Sequence, residues 1–140
     1  MTGMSADKSM QSILAEEADN AANAESKGCT ANVVLIVPGA KGVTGQIEPT
    51  IFCANAGDSR AVLGTNGRGM ALSIDHKPTH PTERLRIMKA GSFVNTEGRV
   101  DGNLNLSRAI GDLIHKKNRK LGPKEQAISA FPDIKIVKMT

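Results

Sequence analysis

The chain has 140 residues, 39% hydrophobic and 23% charged, the make-up of an ordinary folded domain with room for one core. No run of about 18 apolar residues is present, which argues against a membrane span, and Met1 to Met10 lacks the apolar stretch of a secretory leader. A formal net charge of +4 leaves a polyanionic partner to be tested against the motifs, and a core with no Trp or Tyr and only Phe52, Phe93 and Phe131 must rely on Val, Ile, Leu, Met and Ala.

From Asp7 to Lys27 the apolar positions Met10, Ile13, Leu14 and Ala18 mark a narrow helical stripe, which Asn20 to Ser26 dilutes into a frayed end or linker. Cys29 and Cys53 are too few and too isolated for a disulfide framework, and no Cys/His spacing suits zinc. Reduced thiols in an intracellular compartment, cytoplasmic or nuclear, are the expectation. Ala31 to Val37 and Ile47 to Ala56 read as two strands around a glycine-rich connection, and with no Gly-Lys-Ser/Thr ending the connection is a hairpin loop and not a phosphate loop. Asn66-Gly67 predicts a second hairpin between Arg60 to Gly64 and Met70 to Ile74, because both turn residues tolerate positive φ. An antiparallel meander over Ile51 to Ile74 follows.

Pro81 or Thr82 opens a predicted helix over Glu83 to Ala90, with Leu85, Ile87 and Met88 on its apolar side and Gly91 ending it. Short strands are expected near Ser92 to Asn95 and Arg99 to Val100, and a last one over Ile134 to Val137. The fold class is α+β with an antiparallel core. The densest basic stretch, His115 to Lys120, has no interleaved aromatics for base stacking, so it reads as a solvated loop and no nucleic-acid partner is expected. A short phosphate-binding or localisation patch stays open there.

Gly57-Asp58 lies between two apolar runs. Asp58 either caps its own turn or presents a carboxylate to a hard divalent ion. Arg60 and Arg108 have the guanidinium fork that suits phosphate, yet a structural pairing of Arg60 with Asp75 or Asp112 fits as well, and both arginines are read as mainly structural. His76, ahead of Lys77-Pro78, reads as a hydrogen-bonding anchor. Asp112 is a loop or helix-end carboxylate, with proximity to a metal as its other reading.

Several stretches in order carry a family resemblance: Gly28-Cys29-Thr30-Ala31, Ala54-Asn55-Ala56-Gly57-Asp58-Ser59-Arg60, Asp75-His76-Lys77-Pro78 with Glu83, Arg84, Ile87 and Ala90-Gly91, and Arg99-Val100-Asp101-Gly102-Asn103-Leu104 with Leu106-Ser107-Arg108-Ala109-Ile110-Gly111-Asp112. Phe131-Pro132-Asp133 follows. Together they resemble the central part of a metal-dependent serine/threonine protein phosphatase of the type 2C family.

The resemblance implies a partial four-layer α-β-β-α sandwich with antiparallel sheets. Residues 1–27 would be a helix and linker, 28–140 the central portion of the domain, and 81–101 the flap-like segment that borders the active site. It implies hydrolysis of phosphorylated protein substrates by a water activated on Mg2+ or Mn2+, with Asp58 at an additional metal site. No catalytic residue is assigned. The family's Asp-Gly-His-Gly-Gly, Glu-Asp, later Asp-Gly and Asp-Asn ligand motifs do not occur in this sequence. The 140-residue chain is therefore expected not to turn over phosphoesters at a family-like rate, and the alternative is a non-catalytic interaction module. Strands that would pair with absent segments are expected to leave exposed edges prone to self-association.

Overall fold

The structure is a computed structural model that describes residues 4–41, 45 and 47–139. Helix α1 runs over Met4–Glu25, so the helix continues through the stretch whose composition suggested fraying. Ala18 is exposed, and the side chains of Met10, Ile13 and Leu14 lie outside the described residues. Strand β1 (Gly28–Cys29) pairs antiparallel with β6 (Ile110–Gly111). Strands β2 (Ala31–Val37), β3 (Thr50–Ala56) and β7 (Asp133–Lys138) form a three-stranded antiparallel sheet with β3 in the centre. The expected hairpin of β2 and β3 is present, in a register that sets Ala31 opposite Ala56 and Val37 opposite Thr50.

The expected meander takes a different course. Strands β4 (Val62–Thr65) and β5 (Arg68–Ala71) make their hairpin around Asn66 and Gly67, both at positive φ, but β4 does not pair with β3. The place beside β3 goes to β7. The turn after β3 carries the chain out of the sheet plane, and the hairpin lies over one face, where Ile51, Cys53 and Leu72 are buried with Leu63, Met70 and Val137 around them.

Helix α2 (Pro81–Lys89) starts with proline in its first turn, where a missing N–H costs nothing. Its backbone closes through Ala90 and Gly91, as the sequence indicates. Its buried face differs from the predicted one. Ile87 is fully buried, whereas Leu85 and Met88 are exposed, and the second buried residue is Glu83. Ile87 packs with Val100, Ala109 and Ile128 in a second small core. The flap-like stretch is held by bridges of Val100 to Val94 and to Leu104 in place of full strands.

Candidate functional site

The site grows from the end of β3. Asn55, 2% exposed, accepts a hydrogen bond from Asn32 Nδ2 (3.0 Å) and donates to the carbonyls of Gly57 (3.1 Å) and Ile74 (2.9 Å). A buried amide with its capacity used this way fixes the chain direction at the strand end. Gly57 follows with φ +127°, and a Cβ there would fall 2.4 Å from Thr30 Cγ2 and 3.1 Å from the Arg108 carbonyl oxygen. Both the dihedral and the close approach require glycine. The Thr30 hydroxyl lies 2.6 Å from that of Ser59, tying the start of β2 to the far side of the turn.

Residues 57–60 are braced against 75–77 by three cross-links. His76 Nδ1 accepts the Gly57 N–H (3.1 Å) while the His76 N–H donates to the Gly57 carbonyl (3.0 Å). Asp58 forms an ion pair with Lys77. Arg60 grips Asp75 in a two-pronged fork of 3.0 and 2.9 Å, and hydrogen bonding from Arg60 holds the Asp75 carboxyl below its ordinary range. Of the two partners considered for Arg60, Asp75 is the one observed. Asp112 lies elsewhere, buried against Gly28.

His76 is 3% exposed and is the anchor that its place before Lys77-Pro78 suggests. With Nδ1 accepting from a backbone amide, its proton sits on Nε2 and points to Asp133 Oδ2 at 3.1 Å. The His76 carbonyl accepts the Ser107 N–H (3.0 Å). Asp133 in turn accepts from Arg108 (2.7 Å), and Arg108 reaches Glu83 (2.7 Å). Glu83 also accepts from Arg86 (2.7 Å) and the Ser107 hydroxyl (2.6 Å). Arg108 is thus structural, as expected.

Two carboxylates face two guanidiniums, so the network is neutral as a whole and each charge has a partner, which is the condition for burying it. Burial pushes the Glu83 carboxyl up, but hydrogen bonds from Arg108, Ser107 and Arg86 outweigh it and bring the carboxyl down to about 2. The roles of Glu83 and Asp133 are not visible in their sequence motifs. The one local signal for Glu83 is the spacing of three residues to Arg86, which places the pair on one helix face.

Asp58 is the one predicted metal-binding residue, and the turn presents its carboxylate at a half-buried position beside Lys77. Among the described residues no group of three or more His, Cys, Asp or Glu side chains is placed to hold a metal ion. One carboxylate neutralised by a lysine does not make a Mg2+ or Mn2+ site, which needs several converging oxygens. The residues present therefore do not fit a complete metal centre.

The comparisons with known proteins agree with this frame. Residues 3–140 match the family model for Protein phosphatase 2C, and the chain belongs to that family. It is 51% identical over 113 residues to Probable protein phosphatase 2C 3 of Paramecium tetraurelia, covering 81% of this chain and 34% of that protein. It is 48% identical over 112 residues to Protein phosphatase 2C homolog 2 of Schizosaccharomyces pombe, covering 80% of this chain and 28% of that protein. Among solved structures, a phosphatase from a pathogenic strain of Toxoplasma gondii is similar, with a TM-score of 0.62 and 34% identity over 81% of this chain and 44% of that one. The chain thus spans about a third of the length of the curated relatives it matches.

Proposed function

We propose that this chain is the central section of a metal-dependent protein phosphatase that removes phosphate from phosphorylated serine and threonine in proteins. The observation that supports this reading is the clamped Gly57–Asp58 turn, a carboxylate held in fixed position within a chain of the phosphatase 2C family. Asp58 would then serve as one oxygen ligand of an additional Mg2+ or Mn2+ site whose other ligands come from outside the described residues, with Lys77 neutralising its carboxylate in this structure. Residues 81–101 serve as the flap that meets the protein substrate, within a central domain portion over 28–140 that follows the helix and linker at 1–27. The two free cysteines, Cys29 and Cys53, favour an intracellular place for it. No helix among the described residues is long and apolar enough to cross a membrane.

The lack of a three-ligand group among the described residues supports a second reading, a non-catalytic module that binds partners through the same flap. Strand β2 supports self-association of the isolated chain, because it is a sheet edge with Val33 to Val37 all exposed and no charged residue in the strand.

The discriminating experiment is p-nitrophenyl phosphate hydrolysis with millimolar Mn2+, using this chain and a chimera in which it replaces the matching section of the Paramecium relative. The chain alone is expected to be inactive, and the chimera active with metal affinity lowered by Asp58→Ala. A folded chimera without activity would overturn the phosphatase reading. Turnover by the chain alone, lost in Asp58→Ala, would overturn the reading that its ligands are incomplete.

A further inference from the structure

The segment 116–126 contains no helix or strand, yet its backbone is fixed by one buried side chain. Gln126, 6% exposed, donates to the carbonyls of Asn118 (2.8 Å) and Leu121 (3.0 Å) and accepts the Asn118 N–H (3.1 Å). The Asn118 side chain adds a bond to the Ala90 carbonyl at the end of α2 (3.1 Å). A loop tied this way presents its side chains without a large ordering cost on binding.

Its outer side, with the end of α1, forms an open cleft of about 550 Å³ walled by Glu25, Lys116, Lys117, Arg119 and Gln126 among others. Three cations stand against one carboxylate, so the walls carry a net charge of +2. Lys117 pairs with Glu25, whereas Arg119 is exposed and makes no side-chain bond or ion pair among the described residues. Lys116 is half-buried with its ammonium on the Ala109 carbonyl (2.7 Å), and burial lowers its pKa. That ammonium has N–H donors to spare and no carboxylate bonded to it. An oxyanion entering the cleft would find Lys116 and the free Arg119 guanidinium on its walls, and a phosphate dianion matches the wall charge. The cleft offers no aromatic side chain on which a base could stack, which disfavours nucleic acid.

We propose that this cleft docks a phosphorylated segment of a partner protein, with Arg119 and Lys116 gripping the phosphoryl group and the exposed Lys120, next in the chain, adding positive charge. The grip needs no metal and does not use Asp58.

The test is fluorescence anisotropy of a labelled peptide of small neutral residues carrying one phosphoserine, in EDTA so that no metal-held phosphate contributes. Binding is expected to exceed that of the glutamate version and the unphosphorylated version of the peptide. The exposed double variant Arg119→Glu/Lys120→Glu is expected to weaken it by about tenfold or more, while Arg84→Glu on the outer side of α2 changes it by less than about twofold, as suits a charge outside the cleft. Three results would overturn the proposal: equal binding of all three peptides, equal loss in Arg84→Glu, or tighter binding of a single-stranded oligonucleotide that ignores the double variant. Circular dichroism of each variant establishes that it is folded, and because the readout is metal-free binding, its outcome is independent of whether the phosphatase reading holds.

Discussion

The turn at Gly57–Asp58 and the outer strand β2 are adjacent in the chain's topology and opposite in construction. Around the turn the polar side chains are buried or paired: Glu83 and His76 are 2% and 3% exposed, and each has partners from separate segments. Strand β2 is as apolar as a core strand, yet Val33, Leu35 and Ile36 are 61%, 57% and 59% exposed. Its partners across the register, Phe52 and Ala54 of β3 with Ile136 and Ile134 of β7 beyond them, continue the same open apolar face. The described residues thus include nine buried hydrophobic residues against seventeen large exposed ones. Local polar order can be complete within this section of chain while the apolar layer lacks a covering surface. The two parts of the molecule should therefore respond differently to mutation, acid and concentration.

The largest effect is expected from Glu83→Gln, which leaves Arg108 with only the exposed Asp133 as a carboxylate partner and Arg86 with backbone carbonyls alone. Breaking a buried pair from one side costs about 3–5 kcal/mol, to be read by urea denaturation. Acid should do the same reversibly. The Glu83 carboxyl is held at about 2 against an ordinary 4.5, so its contribution is present above the unfolded value and is lost as pH falls through the folded one. A loss on the order of 3 kcal/mol is expected between those limits, largely absent in Glu83→Gln. Next comes Gly57→Ala, which places a methyl 2.4 Å from Thr30 Cγ2 at φ +127° and should cost about 2–3 kcal/mol.

On the other side of the comparison, Leu35→Lys should leave stability within about 0.5 kcal/mol, because the side chain is already exposed. It should instead reduce self-association, seen as a lower mass by light scattering at high protein concentration. The smallest effect is expected from Arg60→Ala, since Arg60 is 62% exposed in its side chain and surface ion pairs contribute little. Its melting temperature should match the parent within error.

The difference between the two regions also explains what could be read without a structure. Periodicity and turn chemistry are local signals, and they indicate α2, the Asn66-Gly67 hairpin and the pairing of β2 with β3. They could not indicate that β7 pairs with β3, because that contact spans the chain and leaves no local trace. The helix face was misread for a related reason. Leu85 and Met88 look like core residues, but the surface they would need is absent among the described residues, and the inward position belongs to a glutamate whose partners lie at Ser107 and Arg108. Asp58 was legible as a site candidate through its motif, while its ion pair with Lys77 and the clamp of His76 on Gly57 depend on the fold bringing residues 57–58 and 76–77 together.

Native-state hydrogen exchange with residue resolution tests the central claim most directly, since it reads both regions in one sample. The amides of Gly57, His76 and Ser107 should exchange only through global unfolding, while the β2 amides directed away from β3 exchange orders of magnitude faster. Equal protection in both regions, or fast exchange at Gly57 and His76, would contradict the account that this section of chain completes its site scaffold while one face and edge of its sheet stay uncovered.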